Sequence, residues 1–431
     1  MHETKASPQR SIWLCARLFF VLCCVTAAHC DAVADAGGLV VETHWLTPGL
    51  VYEATVLANA KGGIRRGTTY VGNLHFQLTA KGLSGRWEGS TAFLDVLNIH
   101  GGRPSQRVGD AQGVSNIEGP PGTQIEEVWI QHNVAGNTMS LLAGIYDVNS
   151  EFYRLQSAGL FVNSSFGIGP EFAQSGISGP SIFPRTSAGI RVDIKPASGW
   201  VIRAALLDGA PIVRPDGSRA AFRAGDGLLG VAEIAWRTQP QANGDVSRSG
   251  TDRIGRFSAL SSYKNKFAVG AWRYTAPSND LSDTDLAGIA RLRRGTSGAY
   301  AIGEVALVSS NEPYARQLAM FVQAGMADAK TNRFSTYFGI GLIGSGWGLG
   351  RDGDQIGISV ARAKNGAHYI SSQQAQGIPT SRAETTFEMT YVAPLSKQLT
   401  VQPDLQYVRN PNTDPSVTNA WVLQVRFQYS F

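Results

Sequence analysis

The sequence predicts an all-β protein: a transmembrane antiparallel β-barrel with long loops folded into its lumen. Three observations carry that expectation. Charge is scarce: of 431 residues 16% are charged and 43% are apolar, against about 25% charged in an ordinary soluble chain. Mean hydropathy is nevertheless only −0.09, because the uncharged remainder is largely Gly, Ser, Thr, Asn and Gln. Glycine is abundant, 49 residues in all, which disfavours helical bundles and helical transporters. Finally, hydrophobicity alternates with a period of two, as in strands with one apolar and one polar face.

The first 36 residues read as a secretory signal. Lys5, Arg10 and Arg17 give a basic start, and Leu18–Cys30 is uncharged and mostly apolar. That run is too short to span a bilayer, which takes about 20 residues. Ala34-Asp35-Ala36 fits a small-residue cleavage site, and a cut after Cys30 is the alternative. All four cysteines (Cys15, Cys23, Cys24, Cys30) fall inside this segment. Residues 37–431 would then form one cysteine-free barrel domain with no disulfide or thiolate chemistry. Cleavage after Ala36 removes three basic and three acidic residues, so the net charge of +5 is unchanged. So mild a charge implies no nucleic-acid partner.

Strand candidates follow in order at 51–59, 70–79, 86–95, 124–132, 138–145, 188–194, 199–207, 228–237 and 255–263. They continue at 266–275, 285–294, 299–308, 316–326, 334–343, 354–363, 383–392, 397–408 and 420–431. In 73–79 the even positions Leu74, Phe76 and Leu78 are apolar, and the odd ones are polar. Phe387, Met389 and Tyr391 alternate with Thr386, Glu388 and Thr390. The last segment is the most informative: Trp421, Leu423, Val425, Phe427, Tyr429 and Phe431 share one face, opposite Gln424, Arg426 and Gln428. In water such a strand would be an aggregation-prone edge. Closure in lipid removes the edge and gives the apolar face acyl chains to contact. Single-chain bacterial barrels have even strand numbers, so sixteen or eighteen strands are admissible.

Two connections, 96–123 and 146–187, are far longer than the turns and carry Pro, Gly, aromatic and apolar residues, as loops packed inside a lumen would. The first offers His100, Gln106, Arg107, Asp110, Asn116 and Glu118, a mixture of donors and acceptors suited to a hydroxyl-rich solute. The second offers Asp147, Asn149, Glu151, Phe152, Asn163 and Phe166, in which aromatic faces alternate with polar groups. The competing reading is that these side chains only satisfy the loops' own backbone and build a small loop core, Phe161 above all.

Enzyme signatures are weak. Gly339, Gly341 and Gly344 match G-x-G-x-x-G spacing but lie inside a strand candidate, without the helix that a dinucleotide site needs. There they read as allowing close backbone approach. Outside the signal the histidines (His44, His75, His100, His132, His368) show no metal-binding spacing, so no metal and no cofactor is expected. A site assembled in space from distant strands stays open. Ser115 with His100 is the best nucleophile–base pair on offer for a barrel enzyme, and it rests on loop proximity alone.

At the two loops the sequence resembles the OprB-type carbohydrate-selective porins of Gram-negative outer membranes. The stretches that carry the likeness are Asn98–Gly101, Val108–Glu118, Glu127–Trp129, Ala143–Phe152 and Leu160–Gly167, with Leu399–Val408 and Asn410-Pro411 near the end. It extends over about residues 50–431, while 210–225 and 239–254 align with no motif. The resemblance implies sixteen strands rather than eighteen, lumen loops that narrow the pore, and passive diffusion of small neutral sugars such as glucose. The implied partners are these sugars and outer-membrane lipid, and a homotrimer is left open. Arg107, Asp110 and Glu118 would set the field at the constriction, where weak multi-site binding lets a solute leave.

Overall fold

The computed structural model describes residues 45–82, 85–134, 136–211, 222–223, 225–238, 265–308, 316–346, 351 and 353–431. The signal segment, the strand candidate 255–263, the stretch 239–254 and most of 210–225 lie outside the described residues.

Sixteen antiparallel strands close a barrel. In chain order they begin with β1 (Leu46–Lys61), β2 (Gly67–Lys81), β3 (Ser90–Gly101), β4 (Gly122–Val134), β5 (Met139–Tyr146), β6 (Ser187–Ile194), β7 (Trp200–Asp208), β8 (Leu228–Arg237) and β9 (Lys266–Tyr274). A separate hairpin, β10 (Ser278–Thr284) and β11 (Ala290–Arg293), interrupts the series. The barrel resumes with β12 (Thr296–Val308), β13 (Gln317–Ala327), β14 (Phe334–Ser345), β15 (Gln355–Asn365), β16 (Ala383–Pro394), β17 (Leu399–Arg409) and β18 (Ala420–Ser430). Pairing of β1 with β18, from Val51↔Ser430 to Lys61↔Trp421, closes the wall.

Sixteen strands is therefore the observed number. The candidate 285–294 leaves the barrel, because its only strand, β11, pairs with β10 alone. A nine-residue helix, Ala367–Ala375, was not anticipated. It packs on this hairpin, where His368 Nδ1 lies 2.8 Å from Asp280 Oδ1.

The alternation read from the last strand holds: Leu423 is 51% and Phe427 42% exposed on the outer face, while Gln424 and Gln428 are buried inside. The protein's core lies within the lumen, where loop residues 147–186 pack on the wall. Phe172 stacks on Trp272 with ring centroids 4.9 Å apart, and Phe161 and Phe166 meet Phe321 at 5.6 and 5.7 Å. A Cβ at Gly341 would come 2.4 Å from the Phe321 ring. The glycine pattern in β14 thus makes room for aromatic packing, as close backbone approach requires.

Candidate functional site

A loop folded into a lumen buries backbone N–H and C=O groups that need partners. Inward-facing side chains of the wall supply them. Glu127 of β4 accepts the Asp147 N–H at 2.8 Å, and Glu233 of β8 accepts the Tyr153 N–H at 2.9 Å. Glu304 of β12 receives both the N–H and the hydroxyl of Ser157 at 2.9 and 2.7 Å. Glu388 of β16 takes the N–H groups of Val162 and Asn163 at 2.6 and 3.1 Å. Four positions earlier, Glu384 accepts from Ala111 at 2.8 Å, Gln112 at 2.9 Å and Asn412 at 2.6 Å.

Wall glutamines complete the pattern by donating to loop carbonyls. Gln402 reaches Leu160 O at 2.8 Å and Gln323 reaches Phe166 O at 2.9 Å, while Gln406 and Gln424 both reach Val114 O at 3.0 Å. A neutral hydrogen bond contributes about 0.5–1.5 kcal/mol and one to a charged group about 1.5–3 kcal/mol, so the set anchors both loops firmly. The loops also bond to each other. Ser164 N–H donates to Gly113 O at 2.8 Å and Asn116 N–H to Val162 O at 2.9 Å.

A buried ion network braces the start of the second loop. Arg203 of β7 grips Asp193 of β6 through two bonds of 2.6 and 2.8 Å, and it lies 3.3 Å from Glu151. Arg191 pairs with Glu151 at 2.9 Å. The Arg203 guanidinium also sits 5.5 Å above the Phe152 ring.

Two loop carboxyls are displaced toward neutrality. Burial pushes Glu171 up to about 7, though Tyr153 Oη donates to it at 3.0 Å, and its Oε2 is buried without a hydrogen-bond partner. Burial, then the charges of Glu384 and Glu118, push Asp110 up to about 7. Its oxygens meet the Ser105 hydroxyl and Gly113 N–H only in geometry too loose for full hydrogen bonds.

Asp110 apart, the residues singled out by sequence divide into three groups against this scaffold. Asp147, Asn149, Glu151, Phe152, Asn163 and Phe166 are taken up by the second loop itself. Asp147 accepts from Asn149 and Phe183 N–H groups, Asn149 donates to Gly167 O, and Asn163 accepts from Ser165. Phe152 and Phe166 are buried. Gln106 and Asn116 are exposed on the first loop, and Glu118 bonds the Ser105 N–H at 2.9 Å and faces Arg103 at 3.5 Å.

The third group consists of His100 and Arg107. Arg107 turns to the tip of the β1–β2 hairpin, donating to Thr69 Oγ1 at 2.6 Å and Arg66 O at 3.3 Å. His100 requires a correction, because β3 extends to Gly101 and its even positions face outward. The His100 ring stacks on Tyr52, 5.8 Å away on the outer wall, rather than lining the pore. Ser115 is buried on the lumen side, 3.3 Å from Arg426. The proposed nucleophile and base thus stand on opposite sides of the wall.

The wall carboxylates escaped sequence reading. Each occupies an inward position of a strand, and its loop partner lies 20 to 273 residues away.

A family model described as carbohydrate-selective porin, OprB family, matches residues 65–431. Porin B of Pseudomonas aeruginosa is 26% identical over 186 residues, 38% of this chain; the matched region spans 41% of that relative's length. Among solved structures, the high-pH structure of Pseudomonas putida OprB superposes with a TM-score of 0.74 at 19% identity, covering 90% of this chain and 94% of that one. The outer-membrane channel DcaP of Acinetobacter baumannii gives 0.52 at 8% identity, covering 90% and 97%. At these identities the structural likenesses establish the barrel fold.

Proposed function

This chain belongs to the OprB family of carbohydrate-selective porins, and on that premise we propose that it is a passive outer-membrane channel for small neutral sugars such as glucose. The observation that carries the reading is the anchoring of both lumen loops by wall glutamates and glutamines. A constriction held by so many hydrogen bonds is a fixed aperture, suited to selecting by size and by weak polar contacts.

Gln106, Asn116 and Glu118, on the first loop, are the sugar-contacting side chains in this reading. They offer amide donors and acceptors beside a carboxylate already balanced by Arg103, a mixture that favours hydroxyls over ions. Residues 1–36 act as the export signal, and amino-terminal sequencing of the mature protein distinguishes a cut after Ala36 from one after Cys30. Lipid covers the apolar outer face, and trimer formation is read from the mass of the detergent complex.

Liposome swelling tests the transport reading. Glucose should enter faster than an amino acid of similar size, and Asn116→Ala should narrow that difference. Equal entry of both solutes would favour a general diffusion pore.

A further inference from the structure

One cluster of side chains on the lumen wall makes none of the loop-anchoring bonds described above. His75 of β2, Asp95 of β3 and Glu126 of β4 are 3%, 1% and 1% exposed. His75 Nδ1 lies 3.1 Å from each Asp95 oxygen and 3.5 Å from Glu126 Oε2. One ligating atom from each residue fits within a 4.8 Å span.

A β-bulge brings the third member inside. Asp95 pairs with Glu127 and Val96 with Ile125, so Glu126 is the extra residue. Strict alternation would place Glu126 opposite Glu127, on the outer face. Instead both carboxylates are buried, as a bulge that re-aims a side chain allows. Glu127 anchors the second loop, and Glu126 is directed to His75. Gln77, also on β2, donates to Asp95 Oδ2 at 3.0 Å, while its own Oε1 is buried without a hydrogen-bond partner.

We propose that His75, Asp95 and Glu126 bind a divalent first-row transition-metal ion. Zinc binds imidazole nitrogen and carboxylate oxygen at about 2.0–2.2 Å, which sets neighbouring ligand atoms of a tetrahedral site roughly 3.3–3.6 Å apart. The 3.5 Å separation falls within that range and the 3.1 Å one lies just below it. Charge points the same way: a protonated His75 leaves one carboxylate unbalanced, whereas a dication with neutral imidazole balances both. Glu53 of β1 adds negative charge within electrostatic reach of His75, although Arg426 of β18 faces Glu53 in turn. One imidazole and two carboxylates suit zinc or manganese better than calcium or copper(I). The ion would staple β2, β3 and β4 where the bulge interrupts the ladder, a role independent of sugar passage.

The test uses the full mature protein in detergent, stripped with a chelator and dialysed against Zn²⁺. One zinc per chain is expected, with affinity lowered roughly a hundredfold or more in His75→Ala and Glu126→Gln, since even outer-shell partners of a metal are worth about 10–100-fold. His132→Ala, an exposed histidine on β4, should bind as the parent does. Absence of stoichiometric zinc, retention by His75→Ala, or equal loss in His132→Ala overturns the proposal. If a variant fails to fold, zinc X-ray absorption on the parent decides, because one nitrogen among oxygen ligands supports the site and any other shell refutes it.

Discussion

The Glu388 carboxylate on β16 receives the Val162 N–H at 2.6 Å across 226 residues of sequence, while its second oxygen holds the N–H of Asn163. This clamp typifies how the lumen is built: loops contribute backbone and aromatic rings, and strands contribute the polar partners.

Removing the clamp should widen the pore before it destroys the barrel. Glu388→Ala leaves two buried N–H groups without acceptors, at about 1–3 kcal/mol each. Single-channel conductance is expected to rise and sugar block to weaken, with heat-resistant migration on gels retained. Unchanged conductance in a folded variant would show that Glu388 does not hold the constriction.

The Arg203 network should behave differently, because it is buried and ionic. Arg203→Ala takes from Asp193 its two-bond partner and leaves Glu151 to Arg191, and is expected to destabilise the protein by about 3–5 kcal/mol. Urea unfolding followed by tryptophan fluorescence measures this; a loss under about 1 kcal/mol would mean that the pair is screened.

Stability should fall with pH through Glu171. Its folded value of about 7 exceeds the ordinary 4.5, so the unfolded chain releases this proton first. The contribution is complete below 4.5 and lost as pH rises through about 7, a total of about 3 kcal/mol at 1.36 kcal/mol per unit. Glu171→Gln keeps an acceptor for Tyr153 and should remove this share, leaving the slope of like sign from Asp110. Identical pH profiles for parent and variant count against the assignment.

Arg107 and Asn116 should separate scaffold from site. The Arg107 guanidinium is bound to Thr69 and Arg66 at the hairpin tip, so Arg107→Ala is expected to leave ion selectivity unchanged and to lower stability by about 1–2 kcal/mol. Asn116→Ala should weaken sugar block with little effect on unfolding. Reversal-potential and unfolding measurements on both variants check the contrast, and the opposite outcome would return Arg107 to the constriction.

Much of the wall was legible because a period of two survives wherever one face is exposed outside the barrel and the other lines a polar lumen. The alternation in β16 and β18 shows it directly. It blurs where the loops pack: Leu97 and Ile99 point inward and are buried, and inward Leu57 and Val422 cluster with Val108 and Val114 of the first loop. An apolar residue inside the barrel defeats the two-faced rule, which is why 96–101 read as loop and His100 as pore-lining. The bulge at Glu126 is hidden for a related reason, since two adjacent carboxylates carry no mark that both face in. The clamps join residues 20 to 273 positions apart, and no local pattern encodes them.

The most direct test is the current through single channels of the purified protein in a planar bilayer, titrated with glucose. A carbohydrate-selective pore predicts stable channels whose current falls saturably as glucose rises, with weaker block in Asn116→Ala. Stable channels indifferent to every sugar, or no channels from a folded barrel, would contradict it.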